Sequence, residues 1–142
     1  MKRIASLLCA ILILVNLPTT ACAAQVTPRA SDYFSCTSVR AYAVGYGKVL
    51  IEFGIDATHM MDEVGASKIY IYKQQTDGTY DIVYTYTKEA YPGLIETDSY
   101  FGYGDITYQG VSGCKYFARV GCYAKDSNGS EILYFNTNVV TA

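Results

Sequence analysis

The sequence predicts an all-β domain, a seven-stranded antiparallel β-sandwich of immunoglobulin or fibronectin type III type. Three observations carry that expectation. The dominant hydrophobic period is two, turn signals recur every ten or so residues, and nothing beyond residue 24 shows sustained helical periodicity.

The strands follow in order. A first strand is expected near Tyr33 to Ala43. From Lys48, Val49, Ile51, Phe53 and Ile55 alternate with Glu52 and Asp56, marking one buried and one solvated face. Ser67 to Tyr72 repeats the pattern, with Ile69 and Ile71 set against Lys68, Tyr70 and Tyr72. Thr76-Asp77-Gly78 then leads into Thr79 to Thr87 as a hairpin, because Asp-Gly supplies the positive φ of tight connections. Lys88 to Gly102 holds Pro92, Gly93 and Gly102 without a clean period, and is expected to be a long crossing loop with room for a short edge strand. A short strand near Tyr103 to Gln109 follows. Lys115 to Lys125 and Glu131 to Val140 form a second hairpin about Asp126-Ser127-Asn128-Gly129.

The N-terminus sets the compartment. Lys2 and Arg3 precede an apolar run from Ile4 to Leu17, Pro18 and then the small residues Thr19 to Ala24. That order is a secretory signal peptide over residues 1–24, with Ala21-Cys22-Ala23 as the small-x-small step and Ala24 or Gln25 as the new N-terminus. A lipid anchor on Cys22 is the alternative, but Thr19 stands where such sites want an aliphatic residue. Release to the exterior is expected, with no membrane insertion of the mature form.

Residues 25–142, about 118 in all, make one domain with one core. Processing removes Lys2 and Arg3, leaving 9 of the 11 basic residues against 13 acidic ones, a net charge of −4. With no basic cluster, nucleic acid is a poor partner. Three cysteines remain: Cys36, Cys114 and Cys122. Cys114 and Cys122 stand at the two ends of one strand, about 26 Å apart at about 3.3 Å per residue, whereas a bridge needs Cα atoms within about 7 Å. In a sandwich of this topology an early residue of the first strand lies level with a late one of the sixth. Cys122 shares the parity of Tyr116, Ala118 and Val120, the inward face. A Cys36–Cys122 bridge with Cys114 as the free thiol is therefore expected, contributing about 2 to 4 kcal/mol.

Tyr116 to Val120, followed by Ala124-Lys125-Asp126-Ser127-Asn128-Gly129, resembles the F strand and F–G hairpin of fibronectin type III domains. Ile69 to Tyr72 with Asp77, Gly78 and Tyr80 resembles their C–C′ hairpin, and Tyr116 stands where a tyrosine corner would sit. More closely, Gly47-Lys48-Val49, Met61-Asp62, Gly65-Ala66, Thr107 to Gly110 and the ending Thr137 to Ala142 are similar to a family of small secreted β-sandwich proteins of unknown function from Gram-positive, gut-type bacteria. The resemblance implies a fold and a location and contributes no catalytic residue. One departure is that the chain has no Trp, so Phe53 takes the place of the buried second-strand tryptophan.

Any Ser/His/Asp or Cys/His site must use His59, the one histidine, in the expected loop near Asp56, Asp62 and Glu63. A lone imidazole among carboxylates is weak for zinc, and solvated loop residues explain the same pattern. Asp98 and Asp105 are carboxylates that spacing alone does not bring together. Asp126, Asn128 and Glu131 span too little chain for a calcium loop and are accounted for by turn chemistry. No cofactor or metal is expected.

Tyrosine stands out: there are 15, all after residue 24. Strand propensity accounts for most as framework. The weaker framework cases are Tyr70, Tyr72, Tyr84, Tyr86, Tyr91, Tyr100 and Tyr103. If Ile69 and Ile71 face the core, Tyr70 and Tyr72 point outward, with Tyr84 and Tyr86 of the next strand as neighbours on one candidate binding surface; a ladder-stabilising row without ligand reads the same. The expected function is a secreted, non-enzymatic binding or surface-interaction module for a protein or glycan. The alternatives are a small hydrolase or metal-dependent enzyme using His59, and a structural or self-associating envelope component.

Overall fold

The computed structural model describes residues 31–142; the expected signal peptide, its cleavage step and Cys22 lie outside them. The described chain is all-β and antiparallel: β1 (Phe34–Gly45), β2 (Lys48–Gln74), β3 (Tyr80–Thr87), β4 (Ile95–Gln109), β5 (Lys115–Asp126), β6 (Gly129–Asn136) and β7 (Val140–Thr141). Seven strands were expected, but their boundaries differ. The second and third expected strands are one strand, β2, of 27 residues. The expected crossing loop is mostly strand as well, since a single 3-10 turn at Pro92–Leu94 passes directly into β4.

Fully extended, β2 would run about 90 Å at about 3.3 Å per residue, far beyond one small domain, so it must turn back on itself. Its first half pairs with β1 on one edge and β4 on the other. Its second half pairs with β5 and β3, and β6 continues from β5. Glu63, Val64 and Gly65 are flanked on both sides, by Thr97, Glu96 and Ile95 of β4 and by Lys125, Ala124 and Tyr123 of β5. The two halves are thus one continuous sheet curled into a half-barrel.

The turn in β2 depends on close backbone approach. Gly65 has φ 152°, and a Cβ there would stand 2.1 Å from the Leu94 carbonyl oxygen. Gly102 of β4 lies against the same spot, where its own Cβ would be 2.8 Å from Gly65 Cα. Residues 57–60 leave the β4 ladder between Asp56 and Met61, and a further irregularity falls between Ala66 and Lys68.

Inside the curl, Ile51, Ile55, Val64, Ile69, Ala118 and Val120 are fully buried. The inward alternation of β2 and β5 is therefore as the sequence predicts, and Phe53 is buried with them. Both expected hairpins form. Gly78 has φ 87°, while the Asp77 carboxylate accepts hydrogen bonds from the Thr79 N–H and hydroxyl. The Asp126 carboxylate accepts from the N–H groups of Asn128 and Gly129. Tyr116 is buried, and its phenol oxygen accepts a hydrogen bond from the Val111 N–H at 2.9 Å, tying the β4–β5 connection to the start of β5.

The expected Cys36–Cys122 bridge is not formed; Cys36, Cys114 and Cys122 are free thiols. In the unbroken ladder from Cys36 to Ala43, alternation puts Cys36 with Ser38 and Arg40 on the exposed side, and the register shift before it turns Phe34 inward instead. Cys122 faces the core opposite Ala66 and Leu133, where burial pushes its thiol up to about 12. Such a thiol is an inert, small apolar group.

Gly65→Ala is expected to lower unfolding free energy by about 3 kcal/mol or more, because backbone rather than a flexible side chain blocks the new methyl. Gly93→Ala, with nothing within 4 Å of the added carbon, should stay within about 0.5 kcal/mol. Urea denaturation of the two variants checks this; equal losses would contradict it.

Candidate functional site

Three places bring together chemistry-bearing side chains. The first is the face predicted from the tyrosines, and the structure divides that set. Residues directly paired across a ladder share a face. Tyr84 stands opposite Ile71 and Tyr86 opposite Ile69, so both lie on the core side, while a register shift sets Ile82 opposite Tyr72. Tyr86 is buried, donates to the Thr107 carbonyl at 3.4 Å, and has its phenol pushed up to about 12 by burial. Tyr84 sits at the rim, its hydroxyl 3.1 Å from that of Tyr91. With Tyr108 these rings fill the seam between β3 and β4, which do not pair.

Tyr70 and Tyr72 do lie on the outer side, but half-buried. Tyr72 stacks on Phe117 at 4.6 Å and 2°, and Tyr80 meets Phe117 edge-on. Tyr70 leans on Tyr134, over which the Arg119 guanidinium also rests at 4.9 Å. These rings cover one another across the ladder, which stabilises the sheet and leaves little free ring face.

The second place is around His59. Its partner is not Asp56, Asp62 or Glu63, the carboxylates nearest in sequence, but Asp126 of the β5–β6 hairpin, 2.9 Å from Nε2. Nδ1 lies 3.0 Å from the Thr58 hydroxyl, which itself donates to the Asp32 carbonyl at 2.6 Å. The His59 hydrogen bond, with the Asn128 N–H beside it, lowers the Asp126 carboxyl from its ordinary 3.8 to about 2. The cluster joins the start of β1, the turn of β2 and the β5–β6 hairpin. Among the described residues no group of three or more His, Cys, Asp or Glu could hold a metal ion.

The third place is the outer face of β1, β2 and β4. The register sets its residues in rows: Cys36, Asp56 and Phe101; then Ser38, Gly54 and Tyr103; then Arg40, Glu52 and Asp105. Gly54 has no side chain to fill the middle of the grid, and an open trough of about 490 Å³ lies between Ser38, Arg40, Glu52, Tyr103 and Asp105. A Cβ on Gly54 would stand 2.9 Å from Cδ1 and Cε1 of the Tyr103 ring and from Ser38 Oγ, so the ring packs against the glycine. The Tyr103 hydroxyl donates to the Asp56 carboxylate, which fixes the ring and raises its phenol pKa. Phe101 is nearly parallel, at 16° and 5.9 Å, and both rings are more than half exposed.

Arg40, Glu52 and Asp105 are exposed and enter none of the ion pairs among the described residues. Glu52 and Asp105 are direct cross-strand neighbours, an arrangement of like charges that weakens a sheet. Of this site the sequence named Tyr103 as an aromatic candidate, Asp105 as a carboxylate, Asp56 as a neighbour of His59 and Cys36 as a disulfide partner, and did not bring them together. The available signal was Gly54 interrupting the outer positions of the Val49 to Ile55 alternation, but the rows need the register of three strands.

No family model and no curated protein matches the chain's sequence. Among the described residues, no helix is long and apolar enough to cross a membrane.

The depressed Asp126 carboxyl contributes stability that is present above pH 3.8 and is lost as pH falls through about 2. His59→Ala should therefore raise the Asp126 titration midpoint toward 3.8 and shrink the loss of melting temperature between pH 4 and pH 2. Side-chain carboxyl NMR across that range checks it. An unchanged Asp126 midpoint in the variant would contradict it.

Proposed function

We propose that the protein is an exported, non-enzymatic binding module, and that its contact face is the outer side of β1, β2 and β4. The observation that carries this reading is the exposed row Arg40, Glu52 and Asp105 beside the Tyr103 ring. The row holds charges that enter none of the ion pairs among the described residues, and it sets the carboxylates of Glu52 and Asp105 at directly paired positions, which disfavours the ladder. Departures from local consistency of this kind concentrate where function requires them.

The framework is read as a fibronectin type III-like sandwich. In its favour, within the one curled sheet β1 and β4 pair with the first half of β2, while β3 and β5 pair with its second half and β6 continues from β5, the grouping such a sandwich would have. The Tyr116–Val111 hydrogen bond at the corner before β5 also fits that family. The signal-peptide pattern and the resemblance to small secreted proteins of Gram-positive, gut-type bacteria support export. His59 is assigned a fastening role, because its ring is engaged by Asp126 and Thr58, and the Thr58 proton is directed to a carbonyl.

Retention of fluorescently labelled protein on surfaces of its native environment tests the reading. Tyr103→Ala and Glu52→Gln should each reduce retention about fivefold or more, while Tyr72→Ala leaves it unchanged, with all three folded by near-ultraviolet circular dichroism. Equal retention of the Tyr103 and Glu52 variants with the parent protein would overturn the assignment of this face.

A further inference from the structure

Resting on that reading, we propose that the trough over Gly54 is a docking site for an uncharged oligosaccharide. The sugar's apolar ring face would lie on Tyr103 and its hydroxyls would bond to Arg40, Glu52 and Asp105.

The donor and acceptor inventory selects the ligand. Arg40 offers only donors and the ionised Glu52 and Asp105 only acceptors, and they stand side by side in one row. A polyanion would meet two exposed carboxylates at the trough, with Asp56 one row away. A polycation would meet the guanidinium in the same row. An apolar surface would have to desolvate three charges without pairing them. A neutral ligand bearing hydroxyls satisfies both signs at once, because each hydroxyl donates to a carboxylate or accepts from the guanidinium.

The aromatic groups define the ligand's other side. The Cδ1–Cε1 side of the Tyr103 ring packs at Gly54 and the Asp56 hydrogen bond holds the ring there, while more than half of the residue stays exposed to a ligand. The C–H face of a pyranose ring is flat, weakly apolar and of matching width. Phe101, nearly parallel at 5.9 Å, continues the aromatic surface along β4. A volume of about 490 Å³ lies within the range of small-ligand clefts, and the trough is open at the surface, so a chain of sugar units can pass through it. The Asp56 hydrogen bond presets the Tyr103 ring, so ordering on binding is confined to the Arg40, Glu52 and Asp105 side chains.

The test titrates cellohexaose, xylohexaose, mannohexaose and N-acetylchitohexaose into isotopically labelled protein spanning residues 25–142. Heparin and polylysine serve as charged comparators. At least one uncharged hexasaccharide is expected to shift amide resonances of residues 38–40, 52–54 and 101–105. Its affinity should fall about tenfold or more in Tyr103→Ala and about threefold or more in Glu52→Gln, an isosteric change that leaves the fold intact, and stay unchanged in Tyr72→Ala. No response to any of the four sugars, binding of a sugar that survives Tyr103→Ala in the folded variant, or a response at these residues to heparin or polylysine alone would overturn the proposal. The surface-retention experiment separates the two levels: retention that depends on Tyr103 but finds no sugar ligand removes the glycan and keeps the binding face, whereas retention indifferent to Tyr103 and Glu52 removes both.

Discussion

Everything else in this fold rests on two glycines in contact. Gly65 in β2 and Gly102 in β4 approach closely enough that a methyl on either would strike backbone. That approach lets a 27-residue strand curl while staying paired on both edges. Without it, β4 could not follow the turn of β2, and the first half of the sheet would lose its partner at the point where it joins the second. The outer face of β1, β2 and β4, with its trough and charged row, is the solvent side of the half that this turn positions.

A sheet curled in this way leaves two seams, and side chains close both. Between β3 and β4, which share no ladder, the inward rings of Tyr84, Tyr86, Tyr91 and Tyr108 fill the gap, and the Tyr86 hydroxyl reaches the Thr107 carbonyl. On the opposite side the Asn138 carboxamide accepts from the Ala41 N–H and donates to the Ala41 carbonyl, standing in for a strand at the edge of β1. Covered edges resist pairing with other chains. The abundance of tyrosine thus has two structural causes, the seam and the self-stacked ladder about Tyr72 and Phe117, and Tyr103 differs from both groups in lying more than half exposed on the outer face of β4.

Local sequence carried the strands and hairpins well, because alternation and turn chemistry act over a few residues. Val49 to Ile55, Ile69 to Ile71 and the Asp77-Gly78 turn lie as their pattern implies. What failed to show was set by long-range register. The continuity of β2 through Gly65 looks like a break when read locally, since glycine interrupts an alternation whether the strand ends or bends. Pro92 and Gly93 mark only a short turn, yet they masked the strand beginning at Ile95. The β2–β3 register sets Tyr84 and Tyr86 opposite Ile71 and Ile69, a one-residue shift beyond Ile71 puts Ile82 rather than Val83 beside Tyr72, and a shift in β1 separates the face of Phe34 from that of Cys36; a shift of one residue exchanges the two faces of a strand. The trough was invisible for the same reason, since Arg40, Glu52 and Asp105 become a row only when three strands are aligned.

The central claim is that a single strand serves both halves by turning at Gly65. Cross-strand nuclear Overhauser contacts test it most directly. The account predicts that Gly65 shows them to Ile95 and Gly102 of β4 and to Tyr123 of β5 in the same folded molecule. Contacts to only one of the two strands would mean that β2 is two separate strands, and the continuous curled sheet would be wrong.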